Sequence, residues 1–401
     1  MPTGGGGAAV GGEVVAGGAA GGAGSRGYRR AVSRRDDRPT DLDPAAAPPA
    51  DERGGDGGPA PAPSPDLEGR VTGLGSWPEQ DPLEAARTVL GELGAAPGLP
   101  HVVEMPGRGP GAEPVGRGAA LLVALPVDLQ PSGWRFVDHP GRDLERARSF
   151  HRADLDALAE AADGYAGELK AQVAGPWTLA ASVRLGRGER ATTDSGARRD
   201  VVASLAEGVR EHLADLARLV PGARLVLQLD EPSLGAVLDG RLRRSSGFGH
   251  LEPVPADEVE AGLRAVVEAA REAGAVHVVV HAGADEAPLA VLRRSGADGL
   301  SLDLAGLGPA GWESVAVAVE EGRRLWAGLD VAHPRAGGAS VEELVEAVRG
   351  PWRRLGLPLA DLADVVLTPA FGLAGSTPAD ARASLRRLRE AADALGEASR
   401  A

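Results

Sequence analysis

From Val71 onward, short β-branched or aliphatic runs alternate with longer stretches whose apolar residues recur every three or four positions. Short apolar runs fit buried strands, and the three-four spacing fits helices with one apolar side. The pattern predicts eight strands: 71–76 "VTGLGS", 119–125 "AALLVAL", 169–175 "LKAQVAG", 223–231 "ARLVLQLDE", 276–281 "VHVVVH", 299–304 "GLSLDL", 324–330 "RLWAGLD" and 364–369 "DVVLTP". A helical stretch follows each, such as "DPLEAARTVLGEL" after the first and "SVEELVEAVRGPWRRL" after the seventh. Eight alternations over about 330 residues favour an α/β fold of the closed (β/α)8 TIM-barrel type over an open doubly wound sheet.

Residues 1–68 break this pattern. The stretch is rich in Gly, Ala and Pro and poor in large apolar side chains, so burial cannot offset the entropy of ordering it. It is expected to be a disordered tail, either a leader or an extension upstream of the true start, ahead of a barrel over 69–401.

Composition narrows the function. A net charge of -14 opposes nucleic acid and anionic membrane as partners, because phosphate backbones are held by clustered Lys and Arg. No run approaches the roughly 20 apolar residues of a membrane helix, and no basic start precedes an apolar block, so a cytoplasmic location and small-molecule ligands are expected. Cysteine is absent, which excludes disulfides, thiolate metal sites and cysteine nucleophiles.

In a barrel of this type, functional groups gather on the C-terminal tips of the strands and the loops after them. The predicted tips supply Ser76, Asp230 with Glu231, His281, Asp303, Asp330 with His333, and Thr368. Polar residues there also cap helices, so their convergence on one rim is the stronger signal. The Gly-rich stretches "GGGG" (4–7) and "GRGPG" (107–111) lack the spacing of phosphate loops.

Taken together, "GLGSWPEQDPLEAA", "GPWTLAAS" (175–182), "LQLDEPSLGAVL" (227–238), "VVVHAGAD" (278–285) and "VVLTPAFGLAGSTPADARASL" (365–385) resemble the cobalamin-independent methionine synthases. The resemblance covers residues 71 to about 396 and corresponds to their C-terminal catalytic barrel or their short single-barrel forms. It implies a methyltransferase of methionine biosynthesis, in which zinc holds homocysteine as a thiolate that attacks the methyl group of a folate or corrinoid donor, the latter implying a methyl-donor protein as partner. A metal-bound thiolate is nucleophilic where a free thiol is mostly protonated.

Residue by residue, the resemblance implies that Leu74, Gly75 and Ser76 hold the substrate carboxylate and that Asp230, with Glu231 beside it, receives the ammonium. It implies His281 and Asp303 as metal ligands, Asp303 standing where the family has glutamate. Gly283 and Phe371 occupy the family's two cysteine positions, so the implied zinc site is incomplete; Asp285, Glu286 and His333 are nearby donors of oxygen and nitrogen. A Phe371 facing the site is expected to exclude water and leave His281 neutral. The family's proton-donating histidine corresponds to Ala332; its neighbour His333, reaching that place by a one-residue shift of the loop, is the implied catalytic residue. The family's pterin-stacking tryptophan corresponds to Ser182 and a second carboxylate to Ala236, while Trp177 is expected to be core. The alternative expectation is a non-catalytic barrel that binds an amino acid or thiol, acting as a sensor or partner subunit.

Overall fold

The computed structural model describes residues 67–186, 188–283, 289–331 and 339–400. His333, Asp285 and Glu286 lie outside these residues, as does the expected tail through residue 66. The fold is mixed α/β. Six parallel strands, β3 Glu168–Ala174, β4 Arg224–Asp230, β5 His277–Gly283, β6 Gly299–Asp303, β7 Arg324–Leu329 and β8 Val366–Pro369, form one sheet in sequence order. A separate hairpin, β1 Val127–Gln130 with β2 Gly133–Phe136, lies between the second and third helices. The helices are α1 Pro82–Leu93, α2 Pro114–Leu121, α3 Arg142–Ala161, α4 Pro176–Ser182, α5 Ser195–Leu219, α6 Leu234–Leu238, α7 Ala256–Glu272, α8 Leu289–Arg294, α9 Pro309–Glu320, α10 Val341–Leu355 and α11 Pro378–Ala398.

Two short extended segments carry the curled sheet round from β8 to β3. Residues 70–77 meet β8, where Thr72 N donates to Leu367 O (3.1 Å) and Leu367 N to Arg70 O (2.7 Å). Residues 98–105 bridge onward: Leu99 N donates to Val71 O (2.7 Å), Glu104 N to Gly75 O (3.0 Å), and Val102 N to Lys170 O on β3 (2.8 Å). This arrangement is consistent with a TIM-type barrel.

The second predicted strand is a correction. Residues 119–125 form the last turn of α2 and the chain leaving it, and the place between 70–77 and β3 goes to "LPHVVEM" (99–105). Gly118 lets α2 seat closely, since a Cβ there would lie 3.0 Å from that of Ala174 and 3.1 Å from Leu179 Cδ2. Pro100, His101 and Glu104 had broken the apolar run of the real segment. The first predicted strand, 71–76, is likewise an extended segment held by isolated bridges at Val71 and Ser76 rather than a strand of the sheet, while the six later strands form. Helix ends have chemical causes: Asp81 accepts from Leu83 N and Glu84 N at the start of α1, and a Ser340–Glu343 capping box starts α10.

Alternation along the strands separates two environments. Leu225, Leu227, Leu229, Val278, Val280, Leu300, Leu302 and Leu325 are buried in the large cluster that also contains the helix residues. The other set points inward. Val226, Val279, Trp326 and Val366 pack with Leu67 and Leu99 into a small apolar floor, and above it the inward residues turn polar. Among the described residues no helix is long and apolar enough to cross a membrane.

Candidate functional site

Above that floor lie Lys170 and Gln172 of β3, Gln228 and Asp230 of β4, His281 of β5, Ser301 and Asp303 of β6, Thr368 of β8, and Glu104 of segment 98–105. Lys170 and Gln228 are fully buried. Lys170 Nζ donates to Gln228 Oε1 (2.6 Å), while Gln228 Nε2 donates to Asp230 Oδ1 (2.7 Å) and to Leu74 O (3.0 Å). One glutamine therefore joins the two predicted halves of an amino acid site, Asp230 and the Leu74–Gly75–Ser76 segment.

Gly75 is required where it stands. Its φ is +132°, and a Cβ would fall 2.6 Å from Gln172 Cδ. Ser76 bridges to Glu104, its carbonyl accepts from Leu373 N (3.1 Å), and Gly372 packs so closely that a Cβ there would collide with Ser76 Oγ. The serine is thus held between segment 98–105 and the turn after β8.

The pairing at Ser76 brings in Glu104, which sequence reasoning passed over. Burial raises the Glu104 carboxyl above its ordinary range, opposed by Arg117, whose Nε lies 3.3 Å away. Asp230 is raised by burial and then by the Glu104 charge, with Lys170 opposing. Lys170 is lowered by burial and supported by Asp230 and Glu104. Two carboxylates that each resist ionisation at the same end of the strands form a site disposed to accept a proton or an ammonium.

Lys170, Gln172 and Gln228 were missed because they sit one or two layers below the strand tips. A signal was present: Lys170 is the single lysine among 43 Lys and Arg side chains, and it lies inside the barrel.

Glu231 is a correction. It is fully buried and turned from the mouth, accepting from Trp177 N (2.9 Å), Thr178 N (2.7 Å) and Thr178 Oγ1 (2.7 Å) at the start of α4. Burial pushes its pKa up to about 7 against those three donors. Trp177 is core as expected, its Nε1 donating to Val259 O (3.0 Å).

The two described residues implied as metal ligands, His281 and Asp303, each have a protein partner. His281 Nδ1 pairs with Ser301 Oγ (3.0 Å), and Asp303 Oδ1 accepts from Ala305 N (3.0 Å) to cap the turn after β6. Among the described residues no three His, Asp or Glu side chains converge to hold a metal ion, whereas a zinc site commonly has three or four protein ligands. Gly283 follows an irregularity in the β5–β6 pairing, with φ +71° and open space where a Cβ would go. Phe371 corrects the expectation that it would shield the site, because it is 64% exposed. Burial within the barrel, and then the Lys170 charge, lower His281 to about 4.

His281 is one of several buried neutral histidines. Burial lowers His212 and His277 to about 4 and His101 to about 3. Folded values below the unfolded value of 6.5 give stability that is fully present above pH 6.5 and lost as pH falls through about 4. Urea unfolding is therefore expected to need progressively less denaturant from pH 7 to pH 4. Because each such histidine contributes up to about 1.4 kcal/mol per pH unit, His212→Leu should flatten the profile by one proton; an unchanged slope would contradict this source of acid lability.

No family model matches the chain, and no curated protein matches it. Solved structures with some likeness include a B12-independent methionine synthase from Shewanella sp. W3-18-1 in complex with selenomethionine, at 15% identity and TM-score 0.43 over 66% of this chain and 71% of that one. Others are a 3-keto-D-glucoside 4-epimerase from E. coli, at 15% identity and TM-score 0.35 over 59% and 84%, and a 2,3-dimethylmalate lyase, at 15% identity and TM-score 0.24 over 59% and 87%. Likeness at this level assigns neither a family nor an activity.

Proposed function

We infer that this chain is a methionine-synthase-type barrel that binds a zwitterionic amino acid, methionine or homocysteine, without ionising its sulfur. The observation that carries the reading is the Gln228 bridge, which sets Asp230 against the Leu74 carbonyl at one end of the barrel. In this reading Asp230 and Glu104 receive the ammonium, and Gly75 with Ser76 receives the carboxylate. A sensor or partner subunit needs only this clasp. Methyl transfer would also require a soft metal centre, and the described residues offer two hard or borderline donors that already have other partners.

Methyl transfer to homocysteine, from a folate or corrinoid donor, is the second reading. Favouring it is the position of His281 and Asp303 on neighbouring strands, with Asp285, Glu286 and His333 following β5 and β7 in sequence. Metal analysis and growth rescue of a methionine auxotroph separate the two. The native chain is expected to keep no stoichiometric zinc after dialysis and not to rescue growth. Rescue by the native chain would overturn the binder.

A further inference from the structure

Beneath the proposed clasp lies a side chain that acts as its gauge. Gln228 belongs to β4, yet it bonds the carbonyl of Leu74 across the barrel, past β3 and segment 98–105. It is also two residues below Asp230 on the same inward face and bonds that carboxylate. The distance between the ammonium end and the carboxylate end of the proposed site is thus set by one side chain.

A glutamine amide can point either way, and its neighbours decide. A backbone carbonyl only accepts, so the Leu74 oxygen at 3.0 Å calls the amide NH2 group to its side whatever the protonation of Asp230 and Lys170. The amide oxygen then faces Lys170 Nζ at 2.6 Å, and the other amide hydrogen meets Asp230 Oδ1 at 2.7 Å. The flipped amide would set its oxygen against the Leu74 carbonyl and take it away from Lys170 Nζ, disrupting the buried network.

We propose that Lys170 and Gln228 are positioning residues: the lysine fixes the orientation of the glutamine amide, and the amide holds Asp230 and the Leu74–Ser76 segment at the separation of the two charged ends of an α-amino acid. This rests on the amino acid reading for its ligand, but the lock itself exists without one. The sequence supports a special role, since arginine serves at every other Lys or Arg position. A single-nitrogen ammonium can end on one glutamine oxygen where a guanidinium fork would need more partners.

The test uses the full chain in three forms, native, Lys170→Met and Gln228→Leu, each checked for folding by circular dichroism. Side-chain NH2 signals are read by NMR after glutamine labelling; the sequence has four glutamines and no asparagine, so Gln228→Leu assigns the signal. The native Gln228 NH2 pair should exchange slowly with solvent and speed up at least tenfold in Lys170→Met. Both variants should bind L-methionine at least tenfold more weakly, while 4-methylthiobutanoate, which lacks the ammonium, loses less. A merely structural role would weaken both ligands alike. Fast native exchange, or exchange unchanged in Lys170→Met, overturns the lock. If exchange behaves as expected but the native chain binds no methionine, the lock stands and the amino acid reading fails.

Discussion

Glu231→Ala is expected to destabilise the fold more than any change at the mouth, while leaving the clasp chemically intact. The substitution strips the acceptor from two backbone amides and a hydroxyl at the start of α4, all in a fully buried setting. A buried donor left unsatisfied costs about 1–3 kcal/mol, so three together cost on the order of 3–9 kcal/mol. That is a large part of the roughly 5–15 kcal/mol by which domains are stable. The melting temperature should fall by about 5–10 °C, with Glu231→Gln intermediate because it keeps one acceptor oxygen. A variant that melts like the native chain but no longer binds methionine would restore Glu231 to the substrate site.

Asp230→Asn is expected to do the opposite. Burial and the Glu104 charge make the Asp230 carboxylate costly in the empty protein, so removing its charge should leave melting unchanged or raise it. Binding should suffer instead. Truncating one partner of a buried charge pair costs about 2–5 kcal/mol, and about 3 kcal/mol corresponds to roughly a hundredfold weaker methionine affinity. Folded values raised above the unfolded carboxylate value also imply a pH signature: the Asp230 contribution to stability is present below the ordinary carboxylate range and lost as pH rises through its raised value. The asparagine variant should therefore be more resistant to alkaline pH than the native chain. Loss of stability without loss of binding would contradict the assignment.

The strands were legible because their outward residues are unbroken aliphatics, as in "LVLQLD", where Leu225, Leu227 and Leu229 face the helices whatever faces inward. Segment 98–105 escaped the pattern because polar His101 and Glu104 stand within a short extended segment that carries Pro100 near its start. The Ala-rich run at 119–125 imitated a strand that helix α2 occupies. At the mouth, motif and position placed Asp230 and Leu74–Ser76 together. What sequence could not reveal was direction. Asp230 and Glu231 are neighbours, yet strand alternation sends one to the barrel interior and the other to α4. Phe371 was placed at a strand tip, but whether it covered the site or faced solvent depended on a turn that Gly372 makes against Ser76. The lone lysine was visible as a count, and its meaning needed the partner 58 residues away.

The most direct measurement is calorimetric titration of metal-free native protein with L-methionine beside Asp230→Asn. The account predicts one binding event per chain in the native protein, unaffected by added zinc or chelator and absent from the variant at the same concentrations. No heat from the native chain, or binding that appears only when zinc is supplied, would contradict a clasp that works without ionising sulfur.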